Sequence, residues 1–297
     1  YYSLCNRGGL KMTKRFLYLC LSLFLLLEIS CLFSCSKAKK AEEPEIVLSP
    51  DEQRLVIALD SFRNIYYKAG YEEEINAIAD NIQGNTADFI QDINNLIASD
   101  ENGLLLLVDK RHYLANSFVP EDLLPLEKNN DYAISRTDLS LRVCVEEALR
   151  KMAIAAKADG ISNLVVSSTY RSYDYQKTIY ERNVRQMGKE AADRESAAPG
   201  TSQHQTGTAI DFGSITDEFA ETKSGKWLEA NAHKYGFSLS FPEGYEPVTG
   251  YRWECWHYRY IGQSAVFMQE KWFNNVQQYM MDFIDLYKNA DITQNVD

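Results

Sequence analysis

The chain has 297 residues, 45% hydrophobic and 12% aromatic, with 31 basic and 42 acidic side chains for a formal net charge of -11. That length holds one sizeable core with an extension, or two small domains. An acidic chain without a basic stripe excludes nucleic acid as an expected partner. Its 19 tyrosines, apolar bodies with polar tips, suit a binding groove as well as an ordinary core and surface.

The first 34 residues read as a processing segment. Residues 1–11 look like translated upstream sequence, with Met12 as the start. Lys14 and Arg15 form a positive region before the apolar run Phe16 to Leu27, and Leu32-Phe33-Ser34-Cys35 closes it with a small residue before a cysteine. This is the pattern of a secretory signal peptide. It resembles a bacterial lipoprotein signal, which implies that Cys35 is lipidated, becomes the mature N-terminus and ties the protein to a membrane outside the cytoplasm. Bulky Phe33 and charged Glu28 depart from that pattern. Plain secretion and an uncleaved anchor are the alternatives; the clean run is short of the roughly 20 residues that a spanning helix needs. Without residues 1–34 the chain keeps 27 basic and 41 acidic residues. Residues 35–49, charged and aperiodic, predict a flexible tether. Of six cysteines only Cys144 and Cys255 lie in the folded part. An extracytoplasmic setting permits their pairing, but two buried free thiols are the expectation.

Helical periodicity begins at Pro50, with Asp51 as a candidate cap and Leu55, Leu59, Phe62 and Tyr66 at three- and four-residue steps. Ile75, Ile78 and Ile82 make a second apolar stripe, and Phe89, Ile93 and Leu96 a third. Residues 50–100 are thus a helical extension, expected to act as a spacer or docking element without chemistry. Leu104 to Val108 predicts a short buried strand, followed by a loop with Pro120 and Pro125. Leu139 to Ala158 predicts a long helix with Leu141, Val145, Leu149, Met152 and Ala156 on one face. Leu164 to Val166 is a strand leading into Thr169-Tyr170-Arg171-Ser172. Tyr173 to Met187 is helical, a loop with Pro199 and Gly200 follows, and Thr208 to Phe212 is a short strand. Lys226 to Tyr235 is a helix, Trp253 to Ile261 an aromatic strand, and Phe267 to Tyr287 a helical tail. The expected fold is α+β: a small antiparallel sheet with flanking helices over residues 101–265, preceded by the helical segment and followed by a C-terminal helix and tail, 266–297.

The chemistry concentrates in two short segments. In Ser202-Gln203-His204-Gln205-Thr206-Gly207-Thr208-Ala209-Ile210-Asp211 a histidine and an aspartate flank a glycine that lets the chain turn. Glu254-Cys255-Trp256-His257 supplies the second histidine. Two imidazoles and one carboxylate suit a catalytic zinc with one position open, and a further carboxylate can serve as general base. Taken singly each piece is weak: a histidine beside glycine is more often structural. His112 and His233 read as structural or exposed.

These segments resemble the VanY-type D-alanyl-D-alanine carboxypeptidases, zinc peptidases of the bacterial envelope. The family's Ser-x-His-x-x-Gly-x-Ala-x-Asp and Glu-x-Trp-His motifs are complete here, and Tyr170-Arg171-Ser172 matches a third. The resemblance covers roughly Leu104 to Gly262. It implies that His204, Asp211 and His257 bind one zinc ion, that Glu254 is the catalytic base, and that Arg171 faces the substrate carbonyl or carboxylate. It also implies that Gln176 and Ser202 contact the peptide, and that the substrate is a peptidoglycan stem peptide. Gln203 stands where Glu is frequent and Cys255 where Pro is frequent. Residues three apart on a straight strand face opposite sides, so Glu254 and His257 can share a metal only across a bulge, twist or strand end.

Two rivals remain at this level. One is the same chemistry on another bond: an L,D-carboxypeptidase, a D,D-dipeptidase or an endopeptidase. The other is a non-catalytic, lipid-anchored peptidoglycan-binding protein, for which an intact Glu254 is superfluous.

Overall fold

A computed structural model describes residues 48–162 and 164–292. The leader, Cys35 and the tether up to residue 47 lie outside these residues. Among the described residues no helix is long and apolar enough to cross a membrane.

Three helices open the described chain: α1 (Pro50–Tyr67), α2 (Glu72–Gly84) and α3 (Thr86–Ser99). Ser49, two positions before the expected Asp51, caps α1. Its hydroxyl accepts from Glu52 N at 3.3 Å while the Glu52 carboxylate accepts from Ser49 N at 2.7 Å, a reciprocal capping box. The apolar stripes of these helices bury Leu59, Phe62, Ile75, Ile82, Phe89 and Ile93 in one core. Most of the rest of that core comes from helices α9 (Gln263–Trp272) and α10 (Gln277–Lys288), with Leu105, Val248 and Ile261 added from between. Extension and tail therefore pack as one helical layer. The tail, expected as one helix, is two. Asn274 and Asn275 adopt left-handed φ values of 49° and 58°, which asparagine tolerates, and the chain reverses there so that α10 lies against α1.

The second core sits under the sheets. Between the two helical stretches run β1 (Leu123–Pro125), β2 (Ala133–Ile134), β3 (Ser140–Arg142), α4 (Val143–Ala158), β4 (Val165–Ser168), α5 (Tyr173–Met187) and the short α6 (Lys189–Glu195). Then follow β5 (Ala209–Phe212), α7 (Lys223–Asn231), β6 (Phe237–Leu239), the one-turn α8 (Glu246–Thr249) and β7 (His257–Tyr260). Strands β2-β4-β5-β7-β6 form a five-stranded sheet, and β1 and β3 form a separate antiparallel pair. The α+β expectation holds with one correction: β2 runs parallel to β4, so the sheet is mixed. Helices α4 and α7 cover it, burying Leu149, Met152, Val166, Phe212 and Leu228 together.

Other expectations change locally. Residues 104–108 form no strand; the Arg259 guanidinium takes the carbonyls of Leu104 and Leu106 at 2.9 and 2.7 Å, so they do not enter a ladder. Pro125, expected in a loop, ends an edge strand, where its missing N–H costs nothing. The first residues of the expected 139–158 helix are strand β3, and the expected loop after α5 holds α6. Cys144 and Cys255 are both free thiols.

Candidate active site

The central strand β5 is buried along its whole length. Its Asp211 has Ser168 of β4 as cross-strand partner on one side and His257 of β7 on the other. Facing residues on neighbouring strands lie about 4.5–5.5 Å apart, so this register alone sets a carboxylate beside an imidazole. His257 is the first residue of β7. Glu254 lies in the turn before it, with His257 N donating to Glu254 O at 3.2 Å. The strand thus ends between the two residues, as their common orientation requires.

His204 arrives from a 3₁₀ turn, Gln203–Thr206. Ser202 caps that turn by accepting from His204 N at 3.3 Å, and Gly207 ends it at φ 69°. A Cβ at Gly207 would meet side-chain atoms of Arg142 and Leu123 at 3.0 Å, so glycine is required there twice over. The backbone of Arg171 donates to His204 O at 3.2 Å, which ties the β4–α5 loop to this turn.

One ligand atom each from His204, Asp211 and His257 lies within 4.8 Å of the others. The three residues are 2%, 2% and 4% exposed. The hydrogen-bond partners decide which nitrogens face inward. Thr169 O sits 2.6 Å from His204 Nδ1; a carbonyl only accepts, so Nδ1 carries the proton and the Nε2 lone pair points at Asp211 Oδ2, 3.2 Å away. Gln203 Oε1 sits 3.1 Å from His257 Nε2, which leaves the Nδ1 lone pair towards Asp211 Oδ1 at 3.1 Å. Two lone pairs and a carboxylate that converge without protons between them fit a divalent cation, and the outward N–H bonds are those that orient histidine ligands.

Arg171 adds positive charge. Its guanidinium donates to Ser168 Oγ at 2.9 Å, Gln176 Oε1 at 3.4 Å and Asp211 Oδ2 at 2.6 Å. Burial and the Arg171 charge push His204 down to about 4, keeping it neutral at physiological pH. Burial alone would raise Asp211, but the carboxyl is held well below its usual range, with the Arg171 guanidinium 2.6 Å from Oδ2 among the charges that lower it. Glu254 goes the other way: burial and the Asp211 charge raise it well above an ordinary glutamate, against the pull of Arg171. Two neighbouring carboxyls with oppositely shifted affinities for protons are suited to separate roles.

A cavity of about 360 Å³ opens over these groups, lined also by Arg136, Arg182, Phe241 and Tyr251. Ser202 is in its wall. Gln176 is behind Arg171, bracing it and donating to Ala197 O at 2.7 Å. The Phe241 ring packs 4.7 Å from that of His257. Phe241, Thr169 and Ser168 carry no signature in the sequence, because they act through a ring face, a carbonyl and a single hydroxyl. Cys255 points away, its sulfur near the carbonyls of Thr216 and Asp217, and burial raises its thiol. A second acidic group, Asp109, His112 and Asp282, already holds a cation, since Arg111 Nη2 is 2.6 Å from Asp282.

Residues 138–263 match the VanY family, D-alanyl-D-alanine carboxypeptidase. YodJ of Bacillus subtilis, which bears a carboxypeptidase name, is 37% identical over 57% of this chain and 63% of its own length. A D-alanyl-D-alanine carboxypeptidase of Enterococcus faecium is 32% identical over 65% of this chain and 62% of its own length. The chain thus spans a little under two thirds of these curated relatives. Among solved structures, that of the LdcB LD-carboxypeptidase, described as revealing the basis of peptidoglycan recognition, aligns with a TM-score of 0.54. It is 32% identical, over 63% of this chain and 87% of that one. With that coverage and the ordered motifs around His204, Asp211 and His257, the chain belongs to the VanY family of D-alanyl-D-alanine carboxypeptidases.

Proposed function

We propose that this protein is a zinc-dependent carboxypeptidase that removes the terminal D-alanine from peptidoglycan stem peptides. The observation that carries the reading is the convergence of three ligand atoms from His204, Asp211 and His257 within 4.8 Å, two of them imidazole lone pairs. Zinc is the metal that two imidazoles and one carboxylate suit, and when bound it supplies the Lewis acid that acidifies the attacking water. Glu254, a carboxyl whose proton affinity burial has raised, takes the proton as water attacks the scissile carbonyl and returns it to the leaving amine. Arg171 presents guanidinium N–H groups to the substrate's carboxylate or developing oxyanion, in the fork geometry that lysine lacks. Ser202, in the cavity wall, is a peptide contact in the same reading.

The pattern from Lys14 to Cys35 supports a lipid-anchored, extracytoplasmic location as part of the same proposal. A second reading, cleavage of the L,D bond, is favoured by the likeness to the LD-carboxypeptidase structure. Stem peptides of defined length, incubated with the protein and read by mass, separate the two. Loss of one alanine from the pentapeptide supports the first reading, and loss from the tetrapeptide the second. Products that persist unchanged under chelation would remove zinc from the account.

A further inference from the structure

The C-terminal helix α10 lies beyond the residues that match the family, yet one of its side chains leads to the metal centre. Gln277 is 2% exposed and Gln203 is 7% exposed. Gln203 Nε2 donates to Gln277 Oε1 at 3.3 Å, and Gln203 Oε1 accepts from His257 Nε2 at 3.1 Å. Gln277 Nε2 in turn donates to Ser238 O at 3.5 Å, and Ser240 Oγ donates to Gln203 Oε1 at 2.7 Å.

The direction of this chain is set at its far end. Ser238 O is a backbone carbonyl on β6 and can only accept, so Gln277 must turn its NH₂ towards it and its oxygen towards Gln203. Gln203 must then present NH₂ to Gln277 and oxygen to His257. An oxygen there accepts only if His257 carries a proton on Nε2, which in the neutral ring leaves Nδ1 bare. The orientation of one ligand is thereby supported, together with Ser240, by a glutamine on a helix that the motifs do not include.

We propose that Gln277 is a positioning residue for the metal centre, acting through Gln203 to hold His257 with Nδ1 free for the ion. This rests on the zinc reading of the site. It also connects the helical layer to the chemistry: α10 packs on α1, and through Gln277 it reaches His257. A glutamate in place of Gln203 would still accept from Nε2 without needing Gln277 to orient it; the amide has two faces and needs one.

The test is a zinc titration of the whole purified protein against a chromophoric chelator. It compares wild type with Gln203→Leu, Gln203→Glu, Gln277→Leu and Gln277→Asn. Wild type should bind one zinc. Gln203→Leu should weaken binding about 10- to 100-fold, the usual effect of losing a partner behind a histidine ligand. Either Gln277 variant should weaken it by a smaller factor, about 3- to 10-fold, because Ser240 still holds the Gln203 oxygen. Gln203→Glu should stay near wild type. Asparagine at 277 is too short to bridge Ser238 and Gln203 but is the milder change should leucine prevent folding. A second readout is long-range ¹H–¹⁵N spectroscopy of the four histidine rings in zinc-loaded protein. The His257 Nε2–H should be hydrogen-bonded and slow to exchange with solvent in wild type, and should exchange faster in the Gln277 variants. Wild-type affinity and unchanged exchange of the His257 Nε2–H in folded Gln277 variants would overturn the inference alone. Failure of wild type to bind zinc would overturn both it and the reading beneath it.

Discussion

Arg171 donates from Nη2 to Asp211 Oδ2 at 2.6 Å, on a carboxylate oxygen that His204 Nε2 also approaches at 3.2 Å. The residue that resemblance casts as a reader of substrate is therefore also a partner of Asp211, a candidate metal ligand. Its other donors go to Ser168 and Gln176, so its orientation is held from three sides.

That arrangement makes Arg171→Lys a sharp test. A single ammonium cannot reach Ser168, Gln176 and Asp211 together. Turnover of a stem pentapeptide should fall about 10²- to 10³-fold, the loss typical of one preorganised donor. Steady-state kinetics alongside a zinc titration will distinguish loss of substrate reading from loss of metal.

Glu254→Gln keeps the size of the side chain and removes the base. Turnover should drop by about 10²- to 10⁴-fold with zinc still bound at one equivalent. Comparable turnover by both forms would refute the role given to Glu254.

The zinc-free protein should lose stability on the acid side because of His204. Its folded affinity for protons is depressed to about 4 by burial and Arg171, below the value near 6.5 of an unfolded histidine. Between those limits the unfolded chain binds more protons than the folded one, so stability falls as pH falls from about 6.5 to 4. Thermal melts in chelator across that range should show a steeper decline for wild type than for His204→Gln.

Zinc itself should raise the melting temperature. A ligand that binds only the folded state at about 100 times its Kd adds about 2.7 kcal/mol. Melts with zinc and with chelator measure the difference, and His204→Gln should narrow it.

Phe62 tests the union of the two chain ends. It is fully buried, and its ring meets Tyr66, Phe273, Tyr279 and Phe283 edge-on at 5.0–6.3 Å. Phe62→Ala should cost about 3–5 kcal/mol, read from the shift of a urea midpoint. A cost near zero would mean that α1 adds little to that core.

The candidate metal ligands His204, Asp211 and His257 and the candidate base Glu254 were legible because they are few, chemically distinctive and set in short motifs with a required glycine. The helices were legible where apolar residues recur at helical spacing, as from Leu55 to Tyr66 and within 173–187. The sequence also showed that Glu254 and His257 could share a metal only if no straight strand joined them. What it left open were features decided by contacts between distant segments. Leu104 to Val108 has the composition of a strand, but Arg259 takes its carbonyls. The tail reads as one helix until two left-handed asparagines fold it back onto α1. Gln203 looked like a minor departure from a motif, and Gln277 like one more helix residue. Only the packed structure joins them, because a hydrogen bond between residues 74 positions apart has no local signature. Local spacing thus picked out the candidate groups, and tertiary packing decided which nitrogen each candidate histidine ligand turns towards Asp211.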